Sequence, residues 1–430
     1  MSTHTVSQVT SLQGTASVPA DKSVSHRAAL MAALADGRST LHGFPQAADP
    51  QSTLSCLRQL GVSIETEGDT VHIEGVGLHG LQAPANPIDC GNSGTTMRLL
   101  AGILAGQPFE STLTGDDSLR ARPMARIANP LRQMDAEVTL TGGTAPIHLG
   151  GRSEPLHAMT YRLPMASAQV KSCVLLAGLY AEGTTTVIQP VPCRDHTERM
   201  LNLPIEVDDE GVQHIHITSD DDPKASVWNP LPGDFSSAAF LLVAATLVPD
   251  SEVTISNVGL NPTRTGLLDV LQAMGADLTV TDRTETNGEP MGTITARHAP
   301  LNGVTVEGDA IPNLIDEIPV LAVAAAASNG QTVIRDAAEL RVKETDRLTA
   351  IAEVLTRLGI GVSEQEDGLT ISGDRDALRG TTVRSFHDHR IAMAAGVAGC
   401  VARGETTIKG ADSARISFPG FWDVLDRLQR

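Results

Sequence analysis

Apolar and polar residues follow one pattern six times along the chain. In each copy a polar cluster opens an Ala-rich stretch that predicts a helix, and an alternating Thr- and Val-rich segment after it predicts a strand. The six openings are Asp21-Lys22-Ser23, Gly91-Asn92-Ser93, Ser167-Ala168-Gln169, Gly233-Asp234-Phe235, Leu314-Ile315-Asp316 and His387-Asp388-His389. The strands are predicted at Ser39–Leu41, Glu110–Leu113, Thr184–Ile188, Glu252–Ile255, Gln331–Ile334 and Glu405–Ile408. Successive openings are roughly 70 residues apart, the size of a supersecondary unit rather than a domain.

A second, amphipathic helix follows most of these strands and ends at a glycine or aspartate. The endings are Leu60-Gly61, Met134-Asp135, Met274-Gly275 and Leu358-Gly359. Alternating segments such as Val71–Ile73 and Leu369–Ile371 then predict a hairpin that closes the unit. The pattern therefore predicts six β-α-β-α-β-β units.

The two chain ends complete one another in this scheme. The sixth unit stops after its second helix, Phe421–Leu428, and the alternating stretch Val6–Val18 is predicted to complete it. Residues 1–19 plus 231–430 then form lobe I and residues 20–230 form lobe II, with three units in each. The alternative is a single large α/β array, in which the periodicity means only that strands and helices alternate.

Composition narrows the functional class. A chain of 430 residues with 41% hydrophobic residues suits two domains of ordinary size. The formal charge of -19 argues against a nucleic-acid or anionic-membrane surface. The five cysteines show no metal-ligand spacing, the first ten residues do not resemble a targeting peptide, and the run Ile391–Ala402 is shorter than the ~20 residues that span a bilayer. We expect a cytoplasmic protein without a metal site.

Basic side chains gather near the starts of the predicted helices, where free N–H groups and the helix dipole attract anions. They are Lys22, Arg27, Arg98, Arg122, Lys171, Arg194, Lys343, Arg347 and Arg390. Each one alone suits a solvated charge, and Arg341–Arg347 alone suits a salt-bridged helix start. Asp316-Glu317 alone suits a favourable charge at a helix N-terminus. The recurrence of basic residues at equivalent points predicts an anion site in a cleft between the lobes.

Six segments resemble, in order, the family of 5-enolpyruvylshikimate-3-phosphate synthases. They are Pro19–Arg27 (PADKSVSHR), Gly91–Arg98 (GNSGTTMR), Arg120–Pro123 (RARP), Ser167–Lys171 (SAQVK), Arg341–Arg347 (RVKETDR) and Asp388–Met393 (DHRIAM). The first and fifth together are close to diagnostic. The resemblance implies the two-lobed enolpyruvyl transferase fold, an α/β fold with three repeated units around a pseudo-threefold axis in each lobe, an inside-out α/β barrel. It also implies an active site in the cleft between the lobes.

The resemblance further implies the reaction. The 5-hydroxyl of shikimate 3-phosphate adds to phosphoenolpyruvate, and the tetrahedral adduct loses phosphate, without a metal or an organic cofactor. The expected partners are these two small molecules, with no nucleic acid and no membrane, and the expected state is a monomer. The family also implies inhibition by glyphosate in competition with phosphoenolpyruvate.

Roles carry over from the family residue by residue. Asp316 matches the proton acceptor, Glu344 is the candidate that shuttles the methylene proton, and Lys22 contacts both substrates. The residues implied for shikimate 3-phosphate are Lys22, Ser23, Arg27, Ser167, Gln169, Arg194, Asp316 and Lys343. Those implied for phosphoenolpyruvate are Lys22, Gly94, Arg122, Gln169, Arg347 and Arg390, since planar guanidinium groups suit a carboxylate or phosphate.

One position departs from the family, and other functions stay open. Ser417 stands where many members carry Lys, and Arg415 or Lys409 is a candidate to supply that charge. The first rival is the enolpyruvyl transferase that acts on UDP-N-acetylglucosamine, but Asp116–Arg122 lacks the reactive Cys usual there. An RNA 3'-phosphate cyclase and a non-catalytic scaffold of the same fold are the rivals from other classes.

Overall fold

The structure is a computed structural model that describes residues 2–429. The chain divides into two compact units. Unit 1 contains the residues up to Pro19, Pro232–Thr284 and the residues from Pro290 onward, and unit 2 contains Ala20–Leu231 and Glu285–Glu289.

Secondary structure alternates along both units. The helices are α1 (Lys22–Leu34), α2 (Ala48–Gln59), α3 (Gly94–Leu104), α4 (Asp117–Arg120), α5 (Ala125–Gln133), α6 (Ala168–Gly178), α7 (His196–Leu201), α8 (Phe235–Leu247), α9 (Gly266–Met274), α10 (Ile311–Leu314), α11 (Ile318–Ala326), α12 (Arg347–Arg357), α13 (His389–Val401) and α14 (Phe421–Leu428). The strands are β1 (Thr3–Ser7), β2 (Gln13–Ala16), β3 (Asp36–Leu41), β4 (Ser63–Glu67), β5 (Thr70–Val76), β6 (Ile88–Asp89), β7 (Ser111–Thr114), β8 (Val138–Thr141), β9 (Thr144–Leu149), β10 (Leu156–His157), β11 (Thr160–Arg162), β12 (Ala181–Glu182), β13 (Thr185–Gln189), β14 (Ile205–Val207), β15 (Gln213–Ile217), β16 (Val227–Trp228), β17 (Glu252–Gly259), β18 (Asp277–Thr286), β19 (Glu289–Arg297), β20 (Thr305–Val306), β21 (Gly330–Ile334), β22 (Gly361–Glu364), β23 (Leu369–Gly373), β24 (Thr382–Arg384) and β25 (Glu405–Lys409).

The predicted repeat appears as one sheet topology used six times. Five sheets have four strands, in the orders β16-β3-β5-β4, β6-β7-β9-β8, β11-β13-β15-β14, β2-β17-β19-β18 and β20-β21-β23-β22, and the sixth is β24-β25-β1. In each sheet the strand after the Ala-rich helix has a parallel neighbour on one side and an antiparallel neighbour on the other. The repeated α/β units predicted from the sequence are therefore confirmed.

The N-terminal stretch contributes one strand to each of two of the six β-α-β-α-β-β units. Strand β1 pairs antiparallel with β25 and takes the place of the hairpin strand that the sixth unit lacks. Strand β2 instead pairs parallel with β17, at the edge of the fourth unit. The prediction that the whole of Val6–Val18 completes the sixth unit is therefore wrong for β2, because alternation shows that a segment is a strand but not which sheet it joins.

The grouping of residues 285–289 also differs from the sequence-based boundaries, which put them in lobe I. They lie at the turn of the β18–β19 hairpin. Asn287 Nδ2 donates to Val227 O at 3.3 Å, and Glu289 Oε1 lies 2.8 Å from His196 Nδ1. These bonds place the turn in unit 2 although its strands belong to unit 1.

Side-chain caps explain why the Ala-rich helices begin where they do. Asp21, Ser93, Ser167, Asp234 and Asp388 each accept a backbone N–H from the first turn of their own helix, which satisfies a donor that the helix cannot pair. Helix α11 has no such cap, and its second residue is Pro319, which has no N–H to satisfy. A separate single turn, α10, ends at Leu314, the first residue of the fifth predicted opening, and α11 begins only at Ile318.

The Ala-rich helices form the centre of each of the two compact units, unit 1 and unit 2. Every residue of α8 and α11 is buried, and both pack on α13. In unit 2, α3 and α6 approach so closely that a Cβ on Gly102 would lie 2.2 Å from Cys173 O. Each unit has its own cluster of buried hydrophobic side chains. Among residues 2–429, no helix combines the length and apolarity needed to cross a membrane.

Candidate active site

The guanidinium group of Arg347 holds three carboxylates in unit 1. Its Nε donates to Asp388 Oδ2 at 2.8 Å, its Nη1 to Asp316 Oδ1 at 3.2 Å and its Nη2 to Glu344 Oε2 at 2.6 Å. Arg347 and Asp388 are fully buried, whereas the Glu344 side chain is half-exposed. We call these four residues the Arg347 cluster. It brings together the two carboxylates that the family implies for proton transfer.

Local structure fixes the positions in this cluster. Asp316 lies between α10 and α11, Arg347 is the first residue of α12, and Asp388 caps α13. Asp346 caps α12, so Lys343 lies outside that helix. The sequence-based placement of Lys343 and Arg347 on one helix start was therefore wrong. Lys343 Nζ instead donates to Glu339 Oε1 at 2.8 Å.

Burial and neighbouring charges set the protonation states of Glu344, Arg347 and the adjacent His389. Burial opposes the charged form of Glu344, but the charges of Arg347 and His389 outweigh it and lower the pKa of Glu344 to about 2. Burial also opposes the charged form of Arg347, but Asp388 and Glu344 raise its pKa. Burial lowers the pKa of His389 to about 4. Near neutral pH Glu344 and Arg347 of the cluster are thus charged, and the neighbouring His389 is neutral.

Arg390 joins Asp316 to a buried polar chain. Its Nη1 donates to Asp316 O at 2.9 Å and lies 3.7 Å from Glu317 Oε1. Glu317 accepts a hydrogen bond from Ser236, and burial raises the pKa of Glu317. Arg264 Nη2 donates to Ser236 Oγ at 2.7 Å. Nothing in the sequence indicated a role for Ser236 or Arg264, and for Glu317 it suggested only a favourable charge at a helix N-terminus.

Lys22 in unit 2 is paired with Asp49, a residue that sequence reasoning missed. Lys22 is the first residue of α1, and its side chain is 43% exposed. Burial opposes the charged form of Asp49, but the Lys22 ammonium outweighs it and lowers the pKa of Asp49. Asp49 lies in the first turn of α2, where an anion also meets the positive end of the helix dipole.

Arg27 is buried and held on three sides. Its Nε donates to Thr197 Oγ1 at 2.7 Å, its Nη2 to Ser172 Oγ at 2.7 Å and its Nη1 to Ser23 O at 3.0 Å. Burial lowers the pKa of Arg27, and the charge of Arg194 acts in the same direction. Arg27, Ser23 and Arg194 therefore lie in one region of unit 2. Ser167 caps α6, where its Oγ accepts from Val170 N at 3.4 Å.

A second group of arginines surrounds the start of α3. A Cβ on Gly94 would lie 2.8 Å from Arg98 Nη1 and 3.3 Å from Arg122 Nη1. Arg98 Nη1 donates to Gln169 Oε1 at 2.5 Å, and Arg122 Nη2 donates to Asn92 Oδ1 at 2.6 Å. We call Gly94, Arg98, Arg122 and Gln169 the Arg98 cluster. It brings together three of the residues implied for phosphoenolpyruvate.

The Arg98 cluster has an excess of positive charge. Burial, and then the charges of Arg126 and Arg122, lower the pKa of Arg98 to about 10. Arg98 Nε is buried and has no hydrogen-bond partner among the described residues. A bound anion would relieve both the like-charge repulsion and the missing hydrogen bond.

The candidates for the missing family Lys lie on the surface. Lys409 ends β25 and Arg415 lies in a 3₁₀ turn, and both are exposed. Within residues 2–429 there is no group of three or more His, Cys, Asp or Glu side chains arranged to hold a metal ion.

Known proteins resemble this chain over nearly its full length. The family model of EPSP synthase (3-phosphoshikimate 1-carboxyvinyltransferase) matches residues 6–425. A 3-phosphoshikimate 1-carboxyvinyltransferase of Salinibacter ruber is 58% identical over 426 residues, covering 99% of each chain. One from a Synechococcus strain is 52% identical over 429 residues, covering 99% of this chain and 96% of the other.

Solved structures agree. An EPSP synthase from Acinetobacter baumannii superposes with a TM-score of 0.91 at 43% identity, covering 99% of this chain and 98% of that one. These matches confirm the resemblance carried by the six sequence motifs and the predicted fold class. The chain belongs to the EPSP synthase family.

Proposed function

We propose that this protein transfers the enolpyruvyl group of phosphoenolpyruvate to the 5-hydroxyl of shikimate 3-phosphate. The hydroxyl oxygen bonds to C2 of phosphoenolpyruvate while C3 gains a proton, which gives a tetrahedral adduct. The adduct then loses phosphate from C2 and a proton from C3, and this restores the double bond. The reaction needs a base, an acid and cations that stabilise the developing charge.

The observation that carries the proposal is the pair of bonds from Arg347 to Asp316 and Glu344. Asp316 accepts the proton of the 5-hydroxyl, and Glu344 exchanges the proton at C3. Because Glu344 has a pKa of about 2 without ligands, it must gain a proton before it can donate one. Anionic substrates that compete for Arg347 would raise this pKa, since they add like charge and engage the cation.

The Arg98 cluster supports the assignment of phosphoenolpyruvate to Gly94, Arg122 and Gln169. The missing side chain of Gly94 leaves space under two guanidinium groups. The first-turn N–H groups of α3 add to the attraction for an anion. Arg347 and Arg390 of unit 1 are proposed to bind the same substrate, and Lys22 to neutralise the departing phosphate.

The region around Arg27 supports the assignment of shikimate 3-phosphate. We propose that Lys22, Ser23, Arg27, Ser167, Gln169, Arg194, Asp316 and Lys343 contact this substrate. Arg27 and Arg194 supply the positive charge for its phosphate and carboxylate, in keeping with the effect of the Arg194 charge on the pKa of Arg27. The active site between the two lobes, expected from the family, is part of this proposal.

A phosphate-release assay tests the function. The protein should release phosphate from phosphoenolpyruvate when shikimate 3-phosphate is present, with one phosphate released for each shikimate 3-phosphate consumed. UDP-N-acetylglucosamine should not replace shikimate 3-phosphate as the acceptor. The family match favours neither the transferase that acts on UDP-N-acetylglucosamine nor the RNA 3'-phosphate cyclase. Release that depends on UDP-N-acetylglucosamine, or on neither acceptor, would refute the proposal.

Two further expectations from the sequence stay predictions. We propose a monomer, which light scattering coupled to size-exclusion chromatography tests through the mass of one 45.1 kDa chain. We also propose a cytoplasmic location, which fractionation of the source cells tests.

A further inference from the structure

The proposed reaction leaves a buried ion pair in unit 2 without a role. Lys171 Nζ lies 2.6 Å from Glu198 Oε1, and their side chains are 0% and 1% exposed. Burial opposes the charged form of Lys171, but Glu198 outweighs it and raises the pKa of Lys171. Lys171 belongs to α6 and Glu198 to α7, so a charged pair joins the two helices inside the protein.

Lys171 also holds the chain next to a proposed ligand residue. Its Nζ donates to Cys193 O at 3.2 Å and to Gln189 Oε1 at 2.8 Å. Cys193 directly precedes Arg194, so Lys171 fixes the backbone from which the Arg194 side chain extends.

The neighbours of both charged residues hold Arg27. Ser172 follows Lys171 and Thr197 precedes Glu198, and their hydroxyl oxygens are 2.7 Å apart. Each of them accepts a hydrogen bond from Arg27 at 2.7 Å. The ion pair therefore fixes the relative position of the two helix residues that orient the Arg27 guanidinium.

Stability alone is a poor explanation for this pair. Removing two charges from water costs free energy that their attraction often only offsets, and apolar replacements of buried pairs are frequently neutral or stabilising. This pair also holds the backbone before Arg194 and the two hydroxyl groups that bind Arg27. Apolar side chains could not do this, because they donate no hydrogen bond to Cys193 O.

We propose that Lys171 and Glu198 are positioning residues that set the affinity for shikimate 3-phosphate by holding Arg194 and Arg27 in place. The inference rests on the proposed function of those two arginines. The effect should fall on this substrate, because Arg98 and Arg122 of the Arg98 cluster are held by other bonds, from Arg98 to Gln169 and from Arg122 to Asn92.

The test uses Lys171→Met, Glu198→Gln and the double variant. Lys171→Met leaves Glu198 buried without its cation and should lower thermal stability. The double variant removes both charges and should regain most of that stability, yet Cys193 O still lacks its donor. We therefore expect the KM for shikimate 3-phosphate to rise about 10- to 100-fold in the double variant, the effect of one or two hydrogen bonds to charged groups. The KM for phosphoenolpyruvate and kcat should change less than about threefold.

Two controls separate positioning from structure. Asp222→Asn with Lys224→Met removes an exposed ion pair of the same unit and should leave every parameter unchanged. Arg194→Gln should itself raise the KM for shikimate 3-phosphate. In the Arg194→Gln background the double variant should add much less than it does alone, because part of what it positions is gone.

Each failure has a distinct meaning. A double variant that regains both stability and wild-type KM for shikimate 3-phosphate would show a merely structural pair and overturn the inference alone. Equal increases in both KM values would overturn it as well. An Arg194→Gln variant with wild-type KM would remove Arg194 from the proposed site and overturn the inference together with that assignment.

Discussion

Arg347 and Asp388 form a buried ion pair in unit 1, with Nε donating to Oδ2 at 2.8 Å and both side chains at most 1% exposed. The other oxygen of Asp388 caps α13 through Arg390 N at 2.8 Å. One carboxylate therefore orients the guanidinium that holds Asp316 and Glu344, and it also fixes the helix that carries Arg390.

Asp388→Asn should destabilise unit 1. The variant keeps an oxygen for the cap but leaves Arg347 without one of its buried countercharges, which costs about 3–5 kcal/mol when a buried pair is broken. Calorimetry should show the unit 1 transition lowered by roughly 10 °C. Asp346→Asn is the matched control, since Asp346 also caps a helix but its ion pair with Arg341 is partly exposed, and it should cost about 1 kcal/mol or less. Equal shifts for the two variants would contradict the role given to burial.

Asp316→Ala should lower turnover about 10²- to 10⁴-fold, the range for a positioned acid or base, because other groups supply most of the substrate binding. Steady-state kinetics with both substrates varied measures the change. Asp309→Ala, which removes an exposed carboxylate nearby in the sequence, should keep wild-type turnover. Turnover of Asp316→Ala within a few-fold of wild type would remove Asp316 from the mechanism.

Gly94→Ala should weaken glyphosate more than phosphoenolpyruvate, because the longer ligand needs the space that a methyl group fills. The structure adds a cost for both ligands, since the new Cβ would lie 2.8 Å from Arg98 Nη1 and disturb its bond to Gln169. We expect the KM for phosphoenolpyruvate to rise several-fold and the inhibition constant of glyphosate to rise by a larger factor. Inhibition curves at fixed phosphoenolpyruvate measure both. A wild-type protein insensitive to glyphosate, or equal losses for both ligands, would contradict the steric account.

His26 should make unit 2 less stable in mild acid. Burial, and then the charge of Lys22, lower the pKa of His26 from 6.5 to about 3, so the unfolded chain binds a proton that the folded chain does not. The contribution of the neutral His26 to the free energy of unfolding is therefore fully present above pH 6.5. It falls as pH decreases, by about 1.4 kcal/mol per pH unit at most. The window from pH 6.5 to 4.5 separates this effect from that of ordinary carboxylates, which titrate mainly below it.

Tryptophan fluorescence can report the unfolding of unit 2 separately from that of unit 1. The chain has two tryptophans, Trp228 in unit 2 and Trp422 in unit 1, so a Trp422→Phe background reports on unit 2 alone. Urea unfolding in that background should show a pH slope between 6.5 and 4.5 that His26→Gln reduces. His148→Gln, at an exposed position of the same unit, should leave the slope unchanged. An equal slope with and without His26 would refute this prediction.

The sequence predicted what depends on local signals. Helix starts follow from caps such as Ser93 and Asp388, and the repeat follows from the alternation of helix and strand periods. The family resemblance singled out Asp316, Glu344 and Arg347 individually, and their roles stay proposals. Asp49 and the Lys171–Glu198 pair were missed as partners, because each bond joins segments far apart in sequence. The error at Lys343 arose because charge spacing was interpreted as helical, whereas the chain enters α12 only after Asp346.

Running the reaction in D₂O tests the central claim most directly, namely that an Arg347-held carboxylate pair drives addition and elimination. The C3 methylene becomes a methyl group in the adduct, so one added deuteron competes with two hydrogens when the double bond returns. Proton NMR should show deuterium at the vinyl carbon of the product, and of recovered phosphoenolpyruvate where addition reverses, only when shikimate 3-phosphate is present. Glu344→Gln should slow this incorporation by at least about 10²-fold. A product free of deuterium, or wild-type incorporation in Glu344→Gln, would contradict the account.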